Sequence, residues 1–221
     1  MKIMRLFLKH NNHIWIFTII LSLMLSACAT KSIHPEYYIL DYQPVLRYST
    51  LKVDVPFPFK VQVQTMKIPR TFDRVNIVVR YSAHRLDYYR YNLWAIRPQI
   101  IISDLIANHI SRYGIFEICQ REFLEERPDY EIIGYIDAIE KFDHESYTAA
   151  HLALKLYLRT YDGYENLLSH EFDRVEEMPV FRMELFAQKL SDILEEEVNN
   201  FIQKMIVYFN QKKYNNLNYD K

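Results

Sequence analysis

The chain has 221 residues, half of them hydrophobic, with 27 basic residues against 28 acidic ones. That balance lacks the basic footprint of a nucleic-acid binder. Its three glycines, Gly114, Gly134 and Gly163, lie too far apart for a phosphate-cradling loop, which needs several within about eight residues.

The chain opens MKIMRLFLKHNNH, with Lys2, Arg5 and Lys9 and no acidic residue, and continues into an apolar run of 13 residues, Ile14 to Ser26. A bilayer span needs about 20, so residues 1–27 read as a secretory signal peptide, with an uncleaved anchor as the alternative. Leu25-Ser26-Ala27-Cys28 resembles the bacterial lipobox. The resemblance implies cleavage before Cys28, a thioether-linked diacylglycerol on its sulfur and an N-acyl chain on its amine. Each buried methylene contributes about 0.8 kcal/mol, so two or three chains hold stably where one is marginal. Ala29 in place of Asp implies, by the enterobacterial sorting rule, export to the periplasm-facing leaflet of the outer membrane. Because that rule differs among bacteria, the inner membrane stays open. Removal of residues 1–27 leaves 194 residues with 24 basic and 28 acidic side chains, a net charge of −4 and enough chain for one core. The expected organisation is a tether over 28–36, a single domain over 37–212 and a frayed polar tail over 213–221.

EYYILDY, Glu36 to Tyr42, is a short strand by its β-favouring residues. LKVDVPFPF, with two prolines, suits an edge strand or an extended arm. KVQVQTMKIP alternates from Lys60, RVNIVVRYS is a second compact strand, and the short step Arg70–Asp73 between them predicts a hairpin. LDYYRYNLWAIRPQ is expected to loop. Pro98 then suits a first helical turn, Ile102, Leu105, Ile106, His109, Ile110 and Tyr113 recur at helical spacing, and Gly114 is a C-cap signature, so a helix spans Pro98 to Tyr113. His109 reads as a core or flanking residue ahead of a ligand. Cys119, in IFEICQREF, reads as a small buried hydrophobe, with pairing to another chain as the alternative. With Cys28 consumed by lipid, no disulfide forms within the chain.

The second half predicts an antiparallel meander. DYEIIGYIDAIEKF is a strand with Ile133, Tyr135 and Ile139 on one side, and DHES turns it. In SYTAAHLALKLYLRTY, Ala150, Leu152, Leu154, Leu156 and Leu158 face one way, and His151, Lys155, Tyr157 and Arg159 the wet way. Asp162-Gly163 turns again into LLSHEFDRV. A long helix from about Val180 to Lys212 closes the chain, its apolar stripe interrupted by Glu195-Glu196-Glu197, of which one glutamate is expected near the stripe edge. The sum is an α+β two-layer sandwich: a mostly antiparallel sheet with two helices packed on one face.

No catalytic constellation emerges. There is no G-x-S-x-G elbow and no H-E-x-x-H pair. His144 and His151, with Glu145 between them, have poor metal-ligand spacing, and no metal is expected. Asp137, Glu140, Asp143 and Glu145 read as solvated acids at a strand end. The candidate binding residues are instead Tyr88, Tyr89, Arg90, Tyr91, Trp94 and Arg97: exposed aromatics interleaved with arginine make contact anchors. For Trp94 and some of the tyrosines, covering the core where the chain enters the helix competes with that role.

The lipobox, YYIL, the strand ending in Ile68-Pro69, VNIVVRYS, and the tyrosine-rich stretch into LWAIRPQIIISDLI resemble the auxiliary lipoproteins of ABC-type transport systems. These include the paraquat-inducible protein C type that accompanies mammalian-cell-entry (MCE) lipid transporters. The Trp94-Ala95 pair before the helix begun by Pro98 is the closest echo. The resemblance implies a non-catalytic, outer-membrane-anchored docking component. It would carry no cofactor beyond the acyl chains on Cys28, and would meet the membrane, a periplasmic lipid-carrying MCE-like partner and lipid itself. An outer-membrane assembly lipoprotein, of lipopolysaccharide-assembly or secretin-pilot type, and a lipid-anchored hydrolase are the alternatives.

Overall fold

The elements in chain order are β1 (Glu36–Tyr38), β2 (Phe57–Val63), β3 (Asn76–Ser82), β4 (Arg85–Trp94), α1 (Pro98–Tyr113), β5 (Phe116–Gln120), β6 (Tyr130–Asp143), β7 (Thr148–Thr160), β8 (Asn166–Met178) and α2 (Met183–Tyr219). The computed structural model describes residues 34–44, 53, 55–144, 147–163, 165–180 and 182–219, with side chains to residue 212. The predicted signal peptide, Cys28, the tether before residue 34 and the side chains of the predicted tail lie outside the described residues.

The long strand β6 organises the sheet. Along one edge β7 pairs with it antiparallel from Tyr130↔Thr160 to Asp143↔Thr148, and β8 pairs antiparallel with β7. Along the other edge β2 and β3 lie end to end, both parallel to β6: Val61 to Val63 meet Tyr130 to Ile132, and Val79 and Arg80 meet Lys141 and Phe142. The predicted hairpin of β2 and β3 is therefore wrong. The step through Pro69 to Arg74 makes a helical turn, with the Phe72 and Asp73 amides donating to the Pro69 carbonyl, and the chain emerges still running forward along β6. The hairpin partner of β3 is β4, the stretch expected to loop. Parallel pairs also join β1 to β4 and β2 to β5. The sheet is mixed where a mostly antiparallel one was expected, and it curls into a half-barrel where a two-layer sandwich was expected.

Both helices pack on this sheet. α1 has Pro98 at its start and ends on Gly114 at φ 62°, ψ 31°, whose amide donates to the Ser111 carbonyl. That left-handed conformation suits glycine. α2 begins at Met183 and continues past Lys212 to Tyr219, beyond the predicted end. The core joins Ile102, Ile106 and Ile110 of α1 and Phe186, Leu190, Leu194 and Phe201 of α2 to Leu152, Leu154, Leu156 and Leu158 of β7, all essentially inaccessible. Each such burial contributes about 1.5–3 kcal/mol. Phe209 of α2 closes the far end, with Phe57, Phe59, Phe116 and Tyr130 ringed around it at 5.2–5.4 Å. Cys119 is buried and free among the described residues, within the core, and burial pushes its thiol up to about 12.

A bulge at Asp137 corrects the predicted facing of β6. Ile136 meets Leu154 but Ala138 meets Ala153, so Asp137 is an extra residue and the alternation changes parity there. Ile132, Ile136 and Ile139 are buried, while Tyr135 is 39% exposed, away from the side it was expected to share with Ile139.

Candidate docking surface

The six candidate residues separate by depth. Trp94 is 2% exposed, its ring 6.0 Å from that of Phe186, and it belongs to the core. Tyr88 and Tyr89 are half-buried. The Arg74 guanidinium lies 3.8 Å from the Tyr88 ring, and the Tyr89 hydroxyl accepts a hydrogen bond from Lys141 Nζ at 3.1 Å. Arg90, Tyr91 and Arg97 remain at the surface. Arg97 pairs with Asp73 at 2.9 Å, both side chains open to solvent.

The backbone explains this partition. From Val78↔Tyr88 to Asn76↔Leu93, two steps on β3 oppose five on β4, so three extra residues bulge out of β4. Asn76 Nδ2 donates to the Tyr89 carbonyl at 2.9 Å and holds the bulge closed at its base. Arg90 and Tyr91 ride on the projecting part, the guanidinium 6.0 Å from the Tyr91 ring. Bulges of this kind re-aim side chains next to functional surfaces. Sequence reading placed these residues in a loop because the bulge breaks the strand alternation that would have marked β4.

A second cluster, missed as a unit, lies on the sheet face away from the helices. Glu140 and His151 are cross-strand partners. Glu140 Oε1 accepts from Arg80 Nε at 2.7 Å and lies 3.2 Å from His151 Nδ1, whose Nε2 is 2.8 Å from Asp173 Oδ1. Glu140 is 2% exposed, so its predicted place among solvated acids is corrected, and His151 on the predicted wet face is 9% exposed. Burial disfavours the charge on His151, but the bonds to Glu140 and Asp173 outweigh it and raise its pKa. Burial likewise works against ionised Glu140, and His151 and Arg80 overcome it to lower that pKa. A histidine with a raised folded pKa contributes stability that is complete below its unfolded value of about 6.5 and is lost as pH climbs through the folded one. Chemical denaturation across pH 6 to 9 should therefore show a decline that a His151→Gln variant lacks. Counting outward from the predicted DHES turn was the signal that could have paired Glu140 with His151.

On α2 the three-glutamate run is not uniformly solvated. Glu197 is 7% exposed, and its carboxylate takes His170 Nε2 at 2.9 Å and Arg174 Nη1 at 3.1 Å. Among the described residues no group of three or more His, Cys, Asp or Glu is placed to hold a metal ion, and no helix is long and apolar enough to cross a membrane.

The described residues form a curled α+β domain whose β3–β4 hairpin carries a bulge with Arg90 and Tyr91 at the surface. The chain belongs to the family described as ABC-type transport auxiliary lipoprotein component, whose model matches residues 46–200. Its fold is similar to that of protein XCC0632 from Xanthomonas campestris, assigned to family DUF330. The TM-score is 0.67 at 15% identity, covering 81% of this chain and 99% of that one. A second crystal structure, of an uncharacterized protein, is similar at TM-score 0.60 and 10% identity, covering 78% of this chain and 99% of that one. Among curated proteins nothing matches.

Proposed function

We propose that this protein is a non-catalytic adaptor, held at the periplasmic face of the outer membrane by acyl chains on Cys28, that docks the periplasmic lipid-carrying, MCE-like component of an ABC transport system. Family membership supports the transport association. The observation that carries the docking role is the three-residue bulge in β4, which lifts Arg90 and Tyr91 out of the sheet. Tyrosine and arginine dominate the energetic centres of protein interfaces. Arg97, beside the start of α1, is a third exposed candidate residue. Tyr88, Tyr89 and Trp94 act behind it by fixing the hairpin. Moving lipid between membranes requires shielding of acyl chains and no bond breaking, so the adaptor supplies position while a partner ATPase supplies energy.

One experiment separates anchor from contact. Cells labelled with a fatty acid would express the full chain, a Cys28→Ser form, or an Arg90→Glu/Tyr91→Ser form, each then captured from membranes. Label should vanish only in the Cys28 variant. Transporter component recovered with the hairpin variant should fall at least about tenfold, the scale of losing one interface anchor. Unchanged recovery with that variant would remove the docking role, and label on Cys28→Ser would remove the anchor.

A further inference from the structure

Independently of the docking hairpin, we propose that a cavity on the outer face of the sheet, between Gln64–Lys67 and β6, binds a phosphodiester group. The cavity measures about 310 Å³ and is lined by Gln64, Thr65, Lys67, Glu131, Tyr135 and Arg159. Its origin is a third irregularity in the backbone. Val63 meets Ile132 and Lys67 meets Tyr135, so four steps along one chain oppose three along the other. The Gln64 and Lys67 amides still donate to the Ile132 and Gly134 carbonyls, both at 2.9 Å. Between them the Met66 amide turns inward to Ser103 Oγ of α1, also at 2.9 Å. Thr65 is thereby left exposed, held by Arg121 Nη2 at 2.8 Å. Gly134 lines the cavity through its backbone, and on its core side there is no room for a side chain: a Cβ there would lie 2.7 Å from the Lys155 carbonyl oxygen and 2.3 Å from Met66 Sδ.

The charges select the ligand. Both oxygens of buried Glu131 are taken, Oε1 by Arg159 Nε at 2.5 Å and Oε2 by Gln64 Nε2 at 3.1 Å. The Arg159 Nη groups have no acceptor among the described residues. Lys67 is exposed, has no carboxylate partner among the described residues, and stands 5.3 Å from the centre of the Tyr135 ring. Arg121, which reaches Thr65, is balanced by Asp104 at 2.9 Å, so Lys67 and Arg159 against Glu131 leave a single positive charge, matching the one negative charge of a phosphodiester. Guanidinium, ammonium and the Thr65 and Tyr135 hydroxyls offer donors to more oxygens than a carboxylate possesses. The volume lies at the small end for ligand pockets, suited to a headgroup and too small for acyl chains. Ile133 and the Tyr135 ring give the alkyl part of an ester an apolar wall.

The test titrates the full chain, ¹⁵N-labelled and held in an uncharged detergent, with two probes. Glycerophosphoglycerol presents a phosphodiester without chains, and dihexanoyl phosphatidylglycerol presents it as a lipid. Saturable shifts at Gln64, Thr65, Lys67 and Gly134 are expected, with affinity about tenfold weaker in Lys67→Gln, the scale of one charge contact. Affinity should be unchanged in Lys60→Gln, a lysine paired with Glu126 away from the cavity. Equal affinity for both probes identifies a free phosphodiester as the ligand, and binding of the chain-bearing probe alone identifies a lipid headgroup. The absence of saturable shifts with either probe would overturn the site. So would equal weakening in Lys60→Gln and Lys67→Gln, because binding would then follow surface charge alone.

Discussion

Replacing Trp94 with Ala should lower the free energy of unfolding by about 3–5 kcal/mol, the usual range for emptying a large aromatic from a packed core. Trp94 closes β4 at the point where β1 lies alongside it: its amide donates to the Val75 carbonyl at 2.6 Å, and the next amide, of Ala95, donates to the Tyr38 carbonyl at 2.7 Å. Its ring fills the space against Phe186 in the first turn of α2. One truncation therefore opens a cavity where the hairpin, the parallel edge strand and the final helix converge. Phe at the same position should recover most of the loss, since it keeps ring contact with Phe186. Denaturant titration measures both, and an Arg90→Glu/Tyr91→Ser variant should unfold within about 0.5 kcal/mol of the unaltered protein. If Trp94→Ala matched that small change while abolishing partner capture, Trp94 would be an interface anchor and its place in the core would be wrong.

The second large effect is acid sensitivity from His109. This side chain is fully buried in α1, with Nδ1 3.1 Å from the Tyr42 hydroxyl and Nε2 3.1 Å from Asn199 Oδ1 of α2. Asn199 Oδ1 can only accept, so Nε2 carries the proton and Nδ1 accepts from Tyr42. Burial lowers the pKa to about 4, with the Asn199 bond opposing that shift only in part. Between pH 6.5 and 4 the unfolded chain takes up a proton that the folded chain refuses, so stability falls as the solution becomes more acidic. By pH 4 the loss from this one group should reach about 3 kcal/mol. His109→Gln can keep both hydrogen bonds and cannot titrate. The difference in unfolding free energy between it and the parent should shift by that amount across the interval, in the direction opposite to the His151 effect at higher pH. A flat difference would mean that His109 is protonated in the fold.

What the sequence revealed follows from how local each cause is. The helix from Pro98 to Gly114 is specified by residues within it, and its two ends fall where expected. The alternation Ala150 to Leu158 needs only a period of two and one buried face, and these side chains are buried. Parallel pairing leaves no turn between its partners, so nothing near Arg70–Asp73 announced that β2 and β3 would both run forward along β6. The short step looked like a hairpin turn and is a helical kink. The bulges at Asp137 and within β4 defeat parity counting, because one unpaired residue inverts every later inside-outside assignment. Of the candidate contact residues, Arg90, Tyr91 and Arg97 were legible as surface. The burial of Trp94 was legible only as a competing role where the chain enters the helix, because its ring partner, Phe186, lies far along the chain.

The most direct test of the adaptor role places a photo-crosslinking residue at position 91 of the full chain and irradiates living cells. Capture of the periplasmic lipid-carrying component of an ABC transporter, absent when the same residue replaces Lys204 on α2, is the predicted result. Capture of outer-membrane assembly proteins instead, or of no transport component at all, would contradict the adaptor.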